Sequence, residues 1–314
     1  SNDAAYTTYA VDMSVHSNWN GTLTRLRIDL PDGAAPGDEI RFDRIAIGQS
    51  GNRPNVIVMM ADDLGWRDVT VNGGDYYQTP NVERLATAGM NFPNAHSANP
   101  LCSPTRAGVL TGLYPARVRF NTPNGHSTTV TLDPEVNATA NAYLPSTSVG
   151  SRTRLPNAYV TYAELMKQVG YSTAFLGKWH LGKDEYVPEN QGFDFVVGGR
   201  QHSGPPGGYF APFSGDSNIP GNWPDGSPVQ ADDHVNDILA AWAADFIADT
   251  RNQPFLMNMW WYDVHGPFQA KPDLRAKYVG QSSSDGRQDS PTMAAMIEVM
   301  DDGVGTMLDK LEEL

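Results

Sequence analysis

Two adjacent aspartates, Asp62 and Asp63, close a short apolar run, while Lys178 and His180 flank Trp179 after a second run and Asp263-Val264-His265 closes a third. Adjacent carboxylates repel unless a cation or hydrogen-bond donors neutralise them, and their oxygens suit Ca²⁺ or Mg²⁺. Two imidazoles and a lysine add proton transfer and a fixed positive charge. A fourth segment, Pro100-Leu101-Cys102-Ser103-Pro104-Thr105-Arg106, holds the only cysteine of the chain. Pro104 suits the first turn of a helix. Backbone N–H groups and the positive helix end then point at whatever Cys102 holds, which suits an oxyanion. Arg106 falls one turn on, along the same face. Bland readings compete: an isolated aspartate pair caps a turn, and a lone cysteine is commonly a small buried hydrophobe.

The elements around these residues decide between the readings. The runs 55–60 (NVIVMM), 171–176 and 254–262 are short and apolar, as expected of strands buried on both faces. Helices alternate with them. Thr79-Pro80 opens one that Gly89 stops, 103–110 is a second, and Thr161-Tyr162-Ala163-Glu164 is a capping box ahead of a third. Residues 232–250 and 291–311 complete the set, the latter with Met293, Met296, Ile297, Met300, Val304 and Met307 at helical spacing. This alternation implies an α/β fold with a mostly parallel sheet flanked by helices. Ligands of such sheets bind beyond the carboxyl ends of the strands. Strands that each end in acids, a lysine or imidazoles therefore converge on one site. His16, His96, His126 and His234 lack that context and read as surface or packing residues; His202 reads as a substrate contact.

Residues 1–52 differ. The stretches 22–30 and 40–47 alternate polar and apolar residues, as half-buried antiparallel strands do. They read as a small β-rich appendage or the tail of a β-sandwich, with 53–314 as the catalytic domain. Stretches 121–157 and 204–228 are long polar or Gly/Pro-rich loops, the kind that rim functional sites. No charged n-region or apolar h-region stands at Ser1-Asn2-Asp3, so a mature or trimmed chain is expected. The chain closes on a helix with no strand after Leu314, so a C-terminally incomplete fold is expected, its remainder carried by a second chain or lost.

With 22 Lys+Arg against 36 Asp+Glu and a net charge of −14, the 314-residue chain lacks the basic character of a nucleic-acid binder. Its hydrophobic content of 40% is enough for a packed core. No apolar run approaches the ~18 residues of a membrane span.

The residues 101–112 (LCSPTRAGVLTG) resemble the signature of the type I, formylglycine-dependent sulfatases, within the alkaline-phosphatase-like superfamily. Residues 170–182 (GYSTAFLGKWHLG) resemble the second signature of that family, 55–68 its opening metal strand, and His265-Gly266-Pro267-Phe268 its later histidine motif. The resemblance implies a hydrolase of sulfate esters in which Cys102 is converted to Cα-formylglycine by a formylglycine-generating or sulfatase-maturating enzyme. It implies Asp62, Asp63 and residue 102 as ligands of Ca²⁺, with Mg²⁺ the alternative. By the same analogy Arg106 holds the hydrated aldehyde, Lys178 pairs with sulfate oxygens, His180 hydrogen-bonds the hydrate and takes a proton, and His265 protonates the leaving alcohol. Arg200 and His202 lie where the family contacts substrate. Trp260, Trp261 and Tyr262 are candidates to stack on a sugar ring, or else a packed strand face. The family completes its metal site with an Asp-Asn or Asp-His pair after a later strand and adds a second lysine downstream, a segment this chain does not contain. A sulfated carbohydrate substrate and a periplasmic or secreted location follow by analogy. A phosphonate or phosphate monoester hydrolase of the same superfamily, and a catalytically incomplete carbohydrate-binding fragment, are the alternatives.

Overall fold

The computed structural model describes residues 53–135 and 149–314. The strands are β1 (Val56–Met60), β2 (Ser172–Gly177), β3 (Phe195–Gly198) and β4 (Phe255–Trp260). They form one parallel sheet in the order β1-β4-β2-β3. The register sets Met60 beside Trp260, Trp260 beside Gly177 and Gly177 beside Gly198. All four strands therefore end at one level, and the residues that follow them emerge along a single edge.

The helices are α1 (Pro80–Ala88), α2 (Cys102–Thr111), α3 (Pro115–Val118), α4 (Tyr162–Gln168), α5 (Val235–Asp249), α6 (Pro272–Lys277) and α7 (Pro291–Glu313). Successive strand residues face opposite sides of a sheet. Phe255, Met257 and Met259 of β4 join Ala174 and Leu176 of β2 in a core with Leu239 and Ala243 of α5 and Met296 and Met300 of α7. Leu256 and Trp260 join Phe175 in a second core with Ala107 and Leu110 of α2 and Ala163 of α4. Helices thus cover both faces, as the alternation of strands and helices predicts.

Local signals explain the helix starts. Thr161 Oγ1 accepts from the Glu164 N–H at 3.2 Å, while the Glu164 carboxylate accepts from the Thr161 N–H at 2.8 Å. The amino end of α1 is capped from another helix: Asp301 of α7 accepts from the backbone N–H groups of Asn81 (2.9 Å) and Val82 (2.8 Å).

Three expectations change. β1 is half-buried at every residue rather than buried on both faces, because it pairs only with β4 and forms one edge of the described sheet. β3 has no counterpart in the sequence reading, its four residues being too short to carry a period. Trp260, Trp261 and Tyr262 are at most 1% exposed and belong to the two cores, so none is free to stack on a sugar. The strands expected at 22–30 and 40–47, and the middle of the loop at 121–157, lie outside the described residues.

Candidate active site

The sheet edge is held together by ladder bonds that run past the strand ends. Trp261 N–H donates to the Met60 carbonyl at 2.9 Å, Asp62 N–H to the Asp263 carbonyl at 2.8 Å, and Lys178 N–H to the Trp260 carbonyl at 2.9 Å. Gly177 turns the chain out of β2 at φ 99°, where any Cβ would meet the Trp260 carbonyl. Asp63 (φ 61°) and His180 (φ 55°) are non-glycine residues in the left-handed region, a conformation that costs on the order of 1 kcal/mol or more and concentrates at functional sites.

Asp62, Arg106 and Lys178 form the centre of the site. One Asp62 oxygen accepts from Arg106 Nη2 at 3.0 Å, and the other accepts from Lys178 Nζ. Arg106 Nη1 donates to the Lys178 carbonyl at 2.6 Å, so the guanidinium ties α2 to the end of β2. The side chains are 4%, 1% and 0% exposed, respectively. Burial alone would raise the Asp62 carboxyl, but the adjacent Arg106 and Lys178 charges outweigh it and hold the group below the usual carboxylate range. Burial pulls Lys178 below its ordinary value, with Asp62 opposing. The Arg106 face also rests on the Trp260 ring, 5.1 Å from its centroid.

Cys102 is the first residue of α2 and is half-buried. It lies within electrostatic range of Lys178. The next residue joins the strand ends directly, because Ser103 Oγ donates to the His180 carbonyl at 2.7 Å. His180 is 1% exposed, and its imidazole is pushed down to about 2, first by burial and then by the Lys178 and Arg106 charges. It is therefore neutral at working pH. His265 donates from Nδ1 to the Gly266 carbonyl at 2.7 Å, which leaves Nε2 outward, 3.8 Å from an Asp63 oxygen. Tyr209 underpins that turn: its hydroxyl lies 2.7 Å from both the Tyr262 and His265 carbonyls.

The substrate-facing expectations fall further out. Arg200 donates to both oxygens of Glu189, at 2.8 and 3.2 Å, so its charge is already matched. Its carbonyl accepts from the His180 N–H at 3.2 Å. His202 lies 3.2 Å from Asp216, which also accepts from Gln201 at 2.9 Å. Arg200, Gln201 and Asp216 line a cavity of about 440 Å³ with Lys183, Asp184 and Val187. One residue that the sequence reading set aside enters the site. His126 Nδ1 lies 2.7 Å from His180 Nε2, with the ring planes 24° from parallel and the centroids 5.0 Å apart, so the two rings meet edge to edge. It sits in a loop with no periodicity, and only the tertiary approach of that loop to β2 reveals it.

The donor set bears on the implied groups. Two buried nitrogens, Arg106 Nε and His180 Nδ1, have no hydrogen-bond partner. That leaves polar capacity for oxygens on a modified residue 102, and the set fits a formylglycine there. The fit to Ca²⁺ is incomplete. Asp62 is already shared between two cations, and no group of three or more metal-binding side chains occurs among the described residues. Two carboxylates fall well short of the roughly six to eight oxygens that Ca²⁺ takes.

Comparison with known proteins gives the family. A model of the sulfatase family matches residues 54–314, and the chain belongs to that family. It is 33% identical over 287 residues to N-acetylgalactosamine-6-sulfatase of Homo sapiens, an alignment spanning 85% of this chain and 49% of that protein. To steryl-sulfatase of Homo sapiens it is 38% identical over 160 residues, 49% of this chain and 24% of that protein. Among solved structures it is similar to the crystal structure of Ps i-CgsB, with TM-score 0.64, 26% identity and coverage of 83% of this chain and 55% of that one. The structure of Ps i-CgsB in complex with k-i-k-neocarrahexaose gives TM-score 0.62 and 27% identity at the same coverage. The chain spans about half the length of its N-acetylgalactosamine-6-sulfatase relatives.

Proposed function

We propose that this site hydrolyses sulfate esters of a carbohydrate. The observation that carries the reading is the buried Asp62–Arg106–Lys178 trio, joined through α2 to a cysteine at the helix start. With both cations charged the trio is net positive, and the amino end of α2 adds N–H groups and its dipole. An anionic SO₃ group is favoured there despite the acidic chain.

Formylglycine at position 102, made from Cys102 by a formylglycine-generating or sulfatase-maturating enzyme, supplies a hydrated aldehyde whose hydroxyl attacks the ester sulfur. Lys178 places positive charge against the sulfate oxygens. Arg106, anchored to Asp62 and to the Lys178 carbonyl, fixes both partners and retains Nε–H as a donor. His265 Nε2 delivers a proton to the leaving alcohol, with the Asp63 carboxylate as its counter-charge. His180 takes the proton whose removal releases sulfate, its basicity recovering as the bound sulfate offsets the Lys178 and Arg106 charges that add to burial in depressing it. Asp62 and Asp63 are the oxygen donors this chain offers to Ca²⁺ or Mg²⁺.

Support for a carbohydrate comes from the relatives: one is named for an N-acetylgalactosamine sulfate, and one solved neighbour holds a neocarrahexaose. The cavity bordered by Arg200, Gln201 and Asp216, with His202 beside it, is proposed to receive the sugar. A periplasmic or secreted location accompanies the reading. No described helix is long and apolar enough to cross a membrane.

The test is mass spectrometry of the Cys102 peptide from a host with the maturation machinery, coupled to turnover of matched aryl sulfate and aryl phosphate esters. Conversion lowers the peptide mass by about 18 Da, and the sulfate ester is the preferred substrate. Unmodified thiol would oppose the reading. A large preference for phosphate would instead favour the phosphate or phosphonate monoester alternative, and glycan binding without turnover the binding-fragment alternative.

A further inference from the structure

We propose that His126 is a positioning residue for His180: it accepts the His180 Nε2–H at its own Nδ1 and thereby fixes Nδ1 of His180 as the basic nitrogen. The inference rests on the catalytic reading above only for its kinetic consequence.

The contact itself demands an assignment. Two ring nitrogens 2.7 Å apart share one proton, so one ring donates and the other accepts. The electrostatic surroundings choose the direction. His126 is on the exposed side of the pair, whereas His180 is buried among the positive groups Lys178 and Arg106. A lone pair directed into that cationic interior is favoured over an N–H, which would present positive hydrogen to positive charge. His180 therefore carries its proton on Nε2, toward His126, and its partnerless Nδ1 is the lone pair.

The loop around His126 is built to hold this ring. On one side, the Gly125 N–H donates to Ser103 Oγ at 3.3 Å, and that hydroxyl donates to the His180 carbonyl. Any Cβ at position 125 would run into the His180 carbonyl, so only glycine allows the loop to approach so closely. On the other side, the fully buried Arg154 donates to the Ser127 carbonyl at 2.8 Å. The residues before and after His126 are thus pinned independently, one to the α2 start and the end of β2, the other to a buried guanidinium. An exposed histidine on an unconstrained loop would need neither anchor.

The arrangement follows the logic by which a catalytic base is oriented by a third group. When His180 takes up a proton on Nδ1, its Nε2–H still donates to His126, so the bond survives the reaction cycle.

The test uses the 314-residue chain labelled with ¹⁵N-histidine, its His180 signals assigned with H180Q. Long-range ¹H–¹⁵N spectra read which ring nitrogen carries the proton. The wild type shows His180 protonated on Nε2. H126N retains that tautomer, because the asparagine Oδ1 stands close to where Nδ1 stood; H126A shifts the population toward a mixture, with the melting temperature unchanged. In matured enzyme with an aryl sulfate, H126A lowers kcat about tenfold with KM unchanged, a fraction of the roughly 10²–10⁴-fold that a general base supplies, and H126N restores most of the loss. A wild-type His180 protonated on Nδ1, or an H126A spectrum identical to wild type, would overturn the proposal. If the wild type turns over no sulfate ester, the proposed function fails, while the spectra still decide the role of His126.

Discussion

Replacing Asp62 by asparagine removes one negative charge and leaves Arg106 and Lys178 buried with no carboxylate between them. The perturbation preserves shape, and Asn Oδ1 can still accept one of the two hydrogen bonds. Removing one partner of a buried ion pair costs about 3–5 kcal/mol, mostly because the remaining charge stays desolvated. The retained hydrogen bond places D62N at the lower end, near ~3 kcal/mol. At roughly 2–4 °C per kcal/mol for a domain of this size, the melting temperature falls by about 6–12 °C. The contrast is Arg84–Asp309, an ion pair of 2.6 Å whose side chains are 33% and 73% exposed. Surface pairs contribute about 0–1 kcal/mol, and Arg84 keeps Glu312 at 2.7 Å, so D309N falls by no more than ~2 °C. Thermal and urea unfolding at pH 7 in low and 1 M salt separate the two. Salt screens the exposed pair and leaves the D62N deficit largely intact. A D62N protein melting within ~2 °C of wild type would refute the claim that the two cations depend on this carboxylate.

Further outcomes follow from other buried groups. Burial pushes the Asp263 carboxyl up to about 8, against an unfolded value of about 3.9, so its contribution is intact below pH ~4 and is lost as pH rises toward 8. His180 and His234 are pushed down, to about 2 and about 3, chiefly by burial; the unfolded chain takes up their protons below pH ~6.5, and stability falls toward acid. D263N therefore narrows the difference in melting temperature between pH 5 and pH 8 and leaves the acid-side fall; an unaltered alkaline slope would count against a protonated Asp263. Asp301→Ala strands the amino-terminal N–H groups of α1, at about 1–3 kcal/mol. Hydrogen exchange should show lost protection at Asn81 and Val82, and protection equal to wild type would contradict the capping role.

Much of this architecture is legible from residue types. Continuous apolar runs at 55–60, 171–176 and 254–262 mark the strands because a parallel sheet covered by helices hides most of both faces. Thr161 and Glu164 announce a helix start through their own side chains, and the cysteine segment places α2 by its proline. Legibility fails where the deciding interaction is long-range. Asp62 shows in the sequence only as one of two adjacent carboxylates, while the buried Arg106 and Lys178 that donate to it lie 44 and 116 residues away and carry no local sign of that pairing. His126 carries no local signal, since its significance arises only where Gly125 packs against the end of β2. Trp260 and Trp261 read as candidate sugar platforms until the helix layers bury them.

The reach of the site to an anion is the central claim, and a crystal structure of the matured chain with inorganic sulfate addresses it most directly. The expected result is a sulfate with one oxygen within hydrogen-bond distance of Lys178 Nζ and another beside residue 102, at the amino end of α2. Sulfate bound elsewhere on the surface, with that corner of the sheet edge empty or closed by protein atoms, would contradict it.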